Sequence, residues 1–417
     1  MIIDSNKVIS KLMLFIYSIW VIVPSIYHTT SVVVIAAILL ILLLLMCVGN
    51  QDLKTKFTYL TFGMISLALM YFFVAYPLDL KHMILVVMEQ FMMFVPMILA
   101  YNAMANYTRK EIVFFIVIII ALELYVGYST YSELQSNPMI ARMLTSGVSE
   151  ESKDISYRLA NIGGYGTIYS FIFVYLSGLI AVLYAKKNII KIVSVMLCIF
   201  SFYILIEAQF GTAIMLLILV TVLVIIFKTN SLQMRILVMG AGILGIFILP
   251  LLLNLIAEFA GPGILNDRLT AISGVLQNKS TNDVDLVLRQ QLLIEGFHVF
   301  FKSPIWGQMI SNNGEKIINL YSHSSYLDLA CATGIIGLGI YLRTWSFANK
   351  MLTRCLKDSI RKFYFPAYAV FFVLGMMNPN WAVYQINVIA FLCFPLILYV
   401  LQDEDSINDN VYFVKGD

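Results

Sequence analysis

Apolar stretches close to twenty residues long recur along this chain, as in VVVIAAILLILLLLMCV at 32–48 and GTAIMLLILVTVLVIIF at 211–227. A hydrocarbon core about 30 Å thick takes roughly 20 apolar residues per helix. Inside it every backbone N–H and C=O must be bonded within the segment or within a closed barrel. The runs here are too long and too uniformly apolar to be the alternating strands of an outer-membrane barrel. Composition excludes the remaining class. With 60% apolar and 12% charged residues and a mean hydropathy of +0.87, there is too little charge to cover a water-soluble globule of 417 residues. The expected fold is an all-α integral membrane protein of about twelve transmembrane helices.

The spans fall at approximately 10–27, 31–48, 57–76, 83–101, 112–129, 165–185, 189–206, 211–227, 236–257, 325–342, 363–378 and 383–401. The first run follows Lys7 and Lys11 in the manner of a signal peptide. It lacks a small-residue cleavage site and a second run begins at once, so it reads as a retained helix. Cys47, Cys198, Cys331, Cys355 and Cys393 are scattered without CxxC spacing, which argues against a metal site or a disulfide framework.

With the N-terminus inside, the inner segments carry eighteen of the 27 Lys and Arg residues and the outer ones nine. Eight of those nine lie in two long loops, where the positive-inside bias is weak. The expectation is a multi-pass membrane protein with both termini cytoplasmic. Its organisation reads as an N-terminal bundle at 1–257 with an external loop at 130–164, a large extracytoplasmic loop at 258–324, C-terminal helices at 325–401 and a cytoplasmic tail at 402–417.

Because most other connections are short, polar chemistry concentrates in the two outer loops. Segments 264–277 and 285–301 have helical spacing and enough apolar residues to lie against the membrane or the bundle. On a wheel of 100° per residue, Gln291, Glu295, His298 and Lys302 form one wet face of 285–301. Arg289 projects on the other side, near Leu293, Gly296 and Phe300, where an unpaired guanidinium is costly to bury. Either it snorkels to the lipid headgroups or it turns into a cavity and grips an anion such as phosphate. His323 stands just ahead of Ser325-Tyr326-Leu327-Asp328, which fits a capping box. A helix N-terminus there would favour phosphate and a neutral, proton-accepting imidazole. The plain alternative is an interfacial histidine. Glu89 and Glu123 lie deep in apolar runs without evident partners, and Gly334, Gly337 and Gly339 read as close-packing positions on the tenth helix.

The segment EGFHVFFKSPIWGQ, followed after a spacer by SHSSYLDLACATGIIGLGIYL, resembles the signature of the O-antigen polymerase and O-antigen ligase superfamily. The close match covers about 55 residues and the topology agrees along the chain. The resemblance implies glycosyl transfer outside the cytoplasmic membrane. The donor is a glycan on undecaprenyl pyrophosphate, and an acceptor sugar hydroxyl attacks its anomeric carbon. A polymerase extends the chain on lipid-linked repeat units, in O-antigen or capsular polysaccharide synthesis. A ligase transfers it to lipid A core, completing lipopolysaccharide. No metal or other cofactor and no nucleic acid are implied; the partners are the lipid-linked glycan, membrane lipid and a possible chain-length regulator.

Residue by residue, the resemblance carries the family's loop arginine to Arg289, as a pyrophosphate-stabilising group, and its loop histidine to His323, as base or orienting group for the acceptor. Arg268 and Arg158 are candidates for a second pyrophosphate contact or are headgroup contacts. Many relatives carry Ser/Thr-Arg-Gly/Ala where one helix ends outside and the next begins; this chain has Glu207-Ala208-Gln209-Phe210-Gly211-Thr212, with Phe210 in place of the arginine. Glu207 and Gln209 in that stretch are further substrate-binding candidates. For Glu207 the alternative is an interfacial carboxylate paired with Arg158 or Arg289. His-Ser-Ser after the loop points to the polymerase branch over the ligase branch. A lipid-linked oligosaccharide transporter would instead carry ionisable groups at mid-membrane on broken helices of an internal repeat, and no repeat is evident.

Overall fold

The computed structural model describes residues 5–48, 50–75, 80–146, 151–229, 284–308, 324–378, 380 and 383–402, with scattered residues between 233 and 274. All regular structure among them is helical. In chain order the helices are α1 (Ser5–Ile22), α2 (Pro24–Thr29), α3 (Val32–Val48), α4 (Gln51–Met70), α5 (Leu80–Asn106), α6 (Arg109–Leu134), α7 (Ile140–Ser146), α8 (Glu151–Leu159), α9 (Tyr165–Tyr184), α10 (Asn188–Glu207) and α11 (Gly211–Lys228). After the scattered stretch come α12 (Val284–Lys302), α13 (Ser325–Thr353), α14 (Asp358–Arg361), α15 (Tyr364–Met377), α16 (Tyr384–Val388) and α17 (Phe394–Leu401). Single π-helical turns at Tyr71–Ala75 and Ile389–Cys393 extend α4 and join α16 to α17.

Ten helices among the described residues are long and apolar enough to cross a membrane, and they coincide with ten of the twelve expected spans. The expected span at 31–48 is α3, apolar but only 17 residues long. The one at 236–257 lies largely outside the described residues. α9 is apolar on every side, as a helix enclosed by others must be, and it forms the middle of the bundle with the continuous α16–α17 unit. By contrast α3 and α10 turn much of their surface outward.

Cross-links between helix ends fix two faces of the bundle. At the face where the chain starts, the Thr108 side chain caps α6 in a reciprocal box with Glu111, as the Thr-x-x-Glu spacing dictates. Glu111 also binds Lys7 at 2.8 Å and Lys11 at 2.6 Å. Arg109 donates to the Val400 carbonyl at 2.6 Å, and the Lys357 N–H to Gln402 Oε1 at 2.6 Å. This is the terminal face. At the opposite loop face, the Ser25 N–H donates to Asn161 Oδ1 at 3.1 Å and the Gly163 N–H to Thr130 Oγ1 at 2.8 Å.

The helix starting at Ser325 departs from expectation in three ways. Its N-cap is Ser324, whose side chain accepts the Leu327 N–H at 3.4 Å. Ser325 instead accepts the Asn380 N–H at 2.9 Å, so the reciprocal Ser325–Asp328 box does not form. The helix runs to Thr353 rather than 342, because Tyr341, Thr344, Trp345, Ala348, Met351 and Leu352 make a buried stripe at helical spacing. It is also broken at Gly334, at φ 65° and ψ −168°.

The segment that follows α12 fills this break. The Ile335 N–H donates to the Pro304 carbonyl at 2.8 Å, the Ile336 N–H to that of Ile305 at 3.4 Å, and the Gln308 N–H to that of Cys331 at 2.6 Å. Of the three glycines expected to serve close packing, Gly334 alone does so against another segment. A Cβ at Gly337 would meet Thr333 of its own helix, and one at Gly339 would meet open space.

Gly334→Ala should therefore destabilise the protein. Its backbone region is essentially glycine-only, at a strain of about 1–3 kcal/mol, and the added Cβ would collide with the Ile305 carbonyl. A clear fall in the unfolding temperature in detergent is expected, with little change for Gly339→Ala; equal behaviour of the two variants would contradict the account.

Candidate functional site

At the loop face, α10 ends and α11 begins with almost no connection between them. Ala208 continues the helical bonding, its N–H reaching the Ile204 carbonyl at 3.0 Å, and Gln209 then takes φ 56°. That left-handed residue stops the helix, a task glycine usually performs. Phe210 is the N-cap of α11 and supplies no side-chain cap. The Gln209 carbonyl, turned away from the helix, accepts a hydrogen bond from Arg142 of α7. The same guanidinium lies over the Phe210 ring, 5.0 Å from its centroid, a cation–π arrangement.

The ring of Phe210 closes against two tyrosines one turn apart on α9. Tyr165 and Tyr169 are 4.5 Å apart at their centroids, and each meets Phe210 edge-on, at 6.5 and 5.7 Å. The Tyr169 hydroxyl is bonded to Thr212 in the first turn of α11. Tyr169 and the Tyr165 hydroxyl are buried, whereas Phe210 is only partly so, and the aromatic cluster forms a floor at the edge of the bundle.

Arg289 reaches this floor from α12. The burial of that helix follows the wheel: Gly296 and Val299 are buried, Leu293 and Phe300 pack on Leu327 and Cys331 of α13, and Gln291, Glu295, His298 and Lys302 are exposed. The Cys331 thiol donates to the Gly296 carbonyl at 3.1 Å, locking α12 to α13. Half-buried Arg289 continues the packed stripe at its N-terminal end, and its Nη1 donates to Asn378 Oδ1 at 3.4 Å. It also lies within electrostatic reach of Tyr165 and Tyr169, and Arg142 within reach of Tyr169. Asn378, 5% exposed, carries a buried Nδ2 with no hydrogen-bond partner. Among the described residues no carboxylate pairs with Arg289.

Two guanidinium groups from separate segments, α7 and α12, therefore converge on one aromatic floor, with an unsatisfied amide donor beside one of them. Such a set of donors suits an oxyanion, and the rings suit the apolar face of a sugar or an isoprenoid.

Of the residues singled out from sequence, Arg289 and Gln209 meet in this cluster. Glu207, half-buried at the last turn of α10, lies two residues from Gln209; no ion pair joins it to Arg158 or Arg289. Arg158 is engaged elsewhere: it contacts His28 Nε2 and donates to the Leu144 carbonyl at 2.8 Å. Arg268 and His323 lie outside the described residues. Glu123 does have a partner, Ser170, which donates to its buried carboxylate from α9.

Four residues of the cluster escaped the sequence reading: Arg142, Tyr165, Tyr169 and Asn378. Arg142 had counted only as one charge of an outer loop. The Tyr-x-x-x-Tyr spacing that opens the span at 165 was a usable signal, since residues four apart share one helix face. No protein-family model matches the chain, and no curated protein sequence matches it significantly.

The turn itself can be tested without any substrate. Gln209→Gly should keep or raise stability, because glycine occupies positive φ freely. Gln209→Val should be less stable than the parent, because a β-branched side chain tolerates positive φ worse than glutamine does. Unfolding midpoints in detergent decide this, and a valine variant as stable as the parent would refute the assigned geometry.

Proposed function

We propose that the chain is a membrane glycosyltransferase that polymerises lipid-linked oligosaccharide repeat units. It takes a glycan from undecaprenyl pyrophosphate and transfers it to an acceptor sugar hydroxyl on the outer side of the cytoplasmic membrane. The observation that carries the reading is that Arg289 and the 207–212 turn approach the same two tyrosines of α9, Tyr165 and Tyr169. Arg289 and that turn are the two places where the sequence resembles and departs from the O-antigen polymerase and ligase superfamily. A positive site half-enclosed by aromatic rings supports a ligand that is anionic at one point and apolar or glycosidic around it.

In this reaction the acceptor hydroxyl oxygen forms the new bond to the anomeric carbon. The bond from that carbon to the pyrophosphate oxygen breaks, and the lipid pyrophosphate leaves with the electron pair. Arg289 stabilises the charge that develops on the leaving oxygen, helped by Asn378 Nδ2. Arg142 stands in for the cation that relatives carry at the position of Phe210. Its contacts to the Phe210 ring and the Gln209 carbonyl support this substitution. His323 takes or orients the acceptor proton. The basic excess of the terminal face supports a cytoplasmic location for that face, which leaves the loop face outside.

Deleting the gene and resolving the surface glycan on gels tests the reading. A single repeat unit on its anchor is expected; an anchor with no glycan identifies a ligase, and normal long chains exclude both. In the complemented strain, Arg289→Ala, Arg142→Ala and His323→Ala should each cut long-chain product by about 100-fold or more, the scale of losing one charge-stabilising group, with unchanged membrane insertion. Full activity in any of them removes that residue from the mechanism.

A further inference from the structure

The terminal face holds a cavity of about 330 Å³ lined by Asn6, Lys7, Met46, Asn50, Gln51, Asn102 and Asn106, within the size range of small-ligand sites. Five of its seven lining side chains are carboxamides, and they converge from four separate segments: α1, the α3–α4 junction, α4 and α5. Its back wall is rigid. Asn102, 5% exposed, donates to Ser10 Oγ at 2.5 Å, and Ser10 Oγ is 2.5 Å from the Tyr107 hydroxyl. Asn106 donates to Asn102 Oδ1 at 2.8 Å and to the Asn102 carbonyl at 3.2 Å.

These bonds leave specific atoms for a ligand. Asn106 spends its Nδ2 on Asn102 and keeps Oδ1 as an acceptor. Asn50 spends Oδ1 on the Leu53 N–H, at 3.0 Å, as the cap of α4 and keeps Nδ2 as a donor. Gln51 offers both at the exposed rim. A wall that alternates acceptors and donors matches hydroxyl groups, each of which gives one hydrogen bond and accepts others. Lys7, which shares the Glu111 carboxylate with Lys11, adds positive charge beside them. Residues 5–11, 50–56 and 106–111 carry Lys7, Lys11, Lys54, Lys56, Arg109 and Lys110 against only Asp52 and Glu111, so the surrounding field favours an anion. The cavity also adjoins the end of α3, where Ile38, Ile41, Leu44, Leu45 and Val48 are exposed apolar side chains on a helix of membrane composition. A ligand here would have its acyl chains on α3 and its head in the cavity.

We infer that this cavity binds the headgroup of an anionic phospholipid with a polyol head, of the phosphatidylglycerol type. The phosphodiester lies towards Lys7 and the glycerol hydroxyls lie between Asn50, Gln51 and Asn106. Basic pockets between helices on the cytoplasmic side are the usual seat of such lipids. The site is at the opposite face from Arg289, and the inference does not depend on the proposed reaction.

Purified full-length protein in detergent is titrated with phosphatidylglycerol, phosphatidylethanolamine or free glycerol 3-phosphate while its unfolding temperature is followed. Phosphatidylglycerol should raise it saturably, with at least a fivefold weaker midpoint in Asn106→Ala and Lys7→Gln. Gln51→Trp, which blocks the mouth from an exposed position, should abolish the response without disturbing the wall. Native mass spectrometry should show phosphatidylglycerol retained by the parent and lost from Gln51→Trp, which keeps the test open if either of the first two variants folds poorly. Equal stabilisation by phosphatidylethanolamine, a response to glycerol 3-phosphate without one to the lipid, or retention of the lipid by Gln51→Trp would each overturn the inference.

Discussion

A helix that breaks inside a membrane protein exposes backbone donors that lipid cannot satisfy, each at a cost of several kcal/mol. The break at Gly334 is of this kind, and the chain answers it with its own residues. Pro304, Ile305 and Gln308 supply the carbonyls and N–H that bond Ile335, Ile336 and Cys331 across the gap. Gly307, at φ 80°, brings the backbones close enough, because a Cβ on it would strike Thr333. The Lys-Ser-Pro-Ile-Trp-Gly-Gln stretch is thus a backbone plug. Its glycine and that of α13 are two halves of a single contact.

The plug has a consequence for the loop-face cluster. Its first bonded residue, Pro304, is two residues past the end of α12, so anchoring residues 304–308 in α13 also fixes where α12 lies. The Cys331–Gly296 bond and the packing of Leu293, Val299 and Phe300 then set its rotation. With both position and rotation fixed, Arg289 at the far end of the packed stripe is directed to Asn378 and the α9 tyrosines. A guanidinium that must meet a defined ligand needs this support; a snorkelling one does not.

The two faces also treat charge differently. On the terminal face Lys7 and Lys11 share Glu111, Lys56 binds Asp52 and Arg361 binds Asp358 at 2.8 Å. Among the described residues Arg289 has instead a neutral amide oxygen at the outer limit of hydrogen-bond distance. One long bond to an amide does little to offset the desolvation of a half-buried cation. An oxyanion would offset it far better, and Asn378 Nδ2 is a donor in want of the same thing. This asymmetry, more than the presence of an arginine, favours a ligand at the loop face.

Period and length made the membrane helices legible from sequence, and the wheel of 285–301 named the packed and wet sides of α12 correctly. The capping position slipped by one because only Ser325 has an acidic residue three positions on, whereas in the fold its hydroxyl is taken by the Asn380 N–H and the cap falls to Ser324. Arg142 was invisible for a different reason: its partners, Gln209 and Phe210, are about seventy residues away, and no local pattern reports such a meeting. Phe210 itself had read as a lost cation. In the folded chain a cation does reach that turn, from α7, and lies across the Phe210 ring. A neighbouring helix thus supplies the charge while the turn presents an aromatic face beneath it. On the proposed reaction, a flat sugar or isoprene unit would stack on that face beside the pyrophosphate.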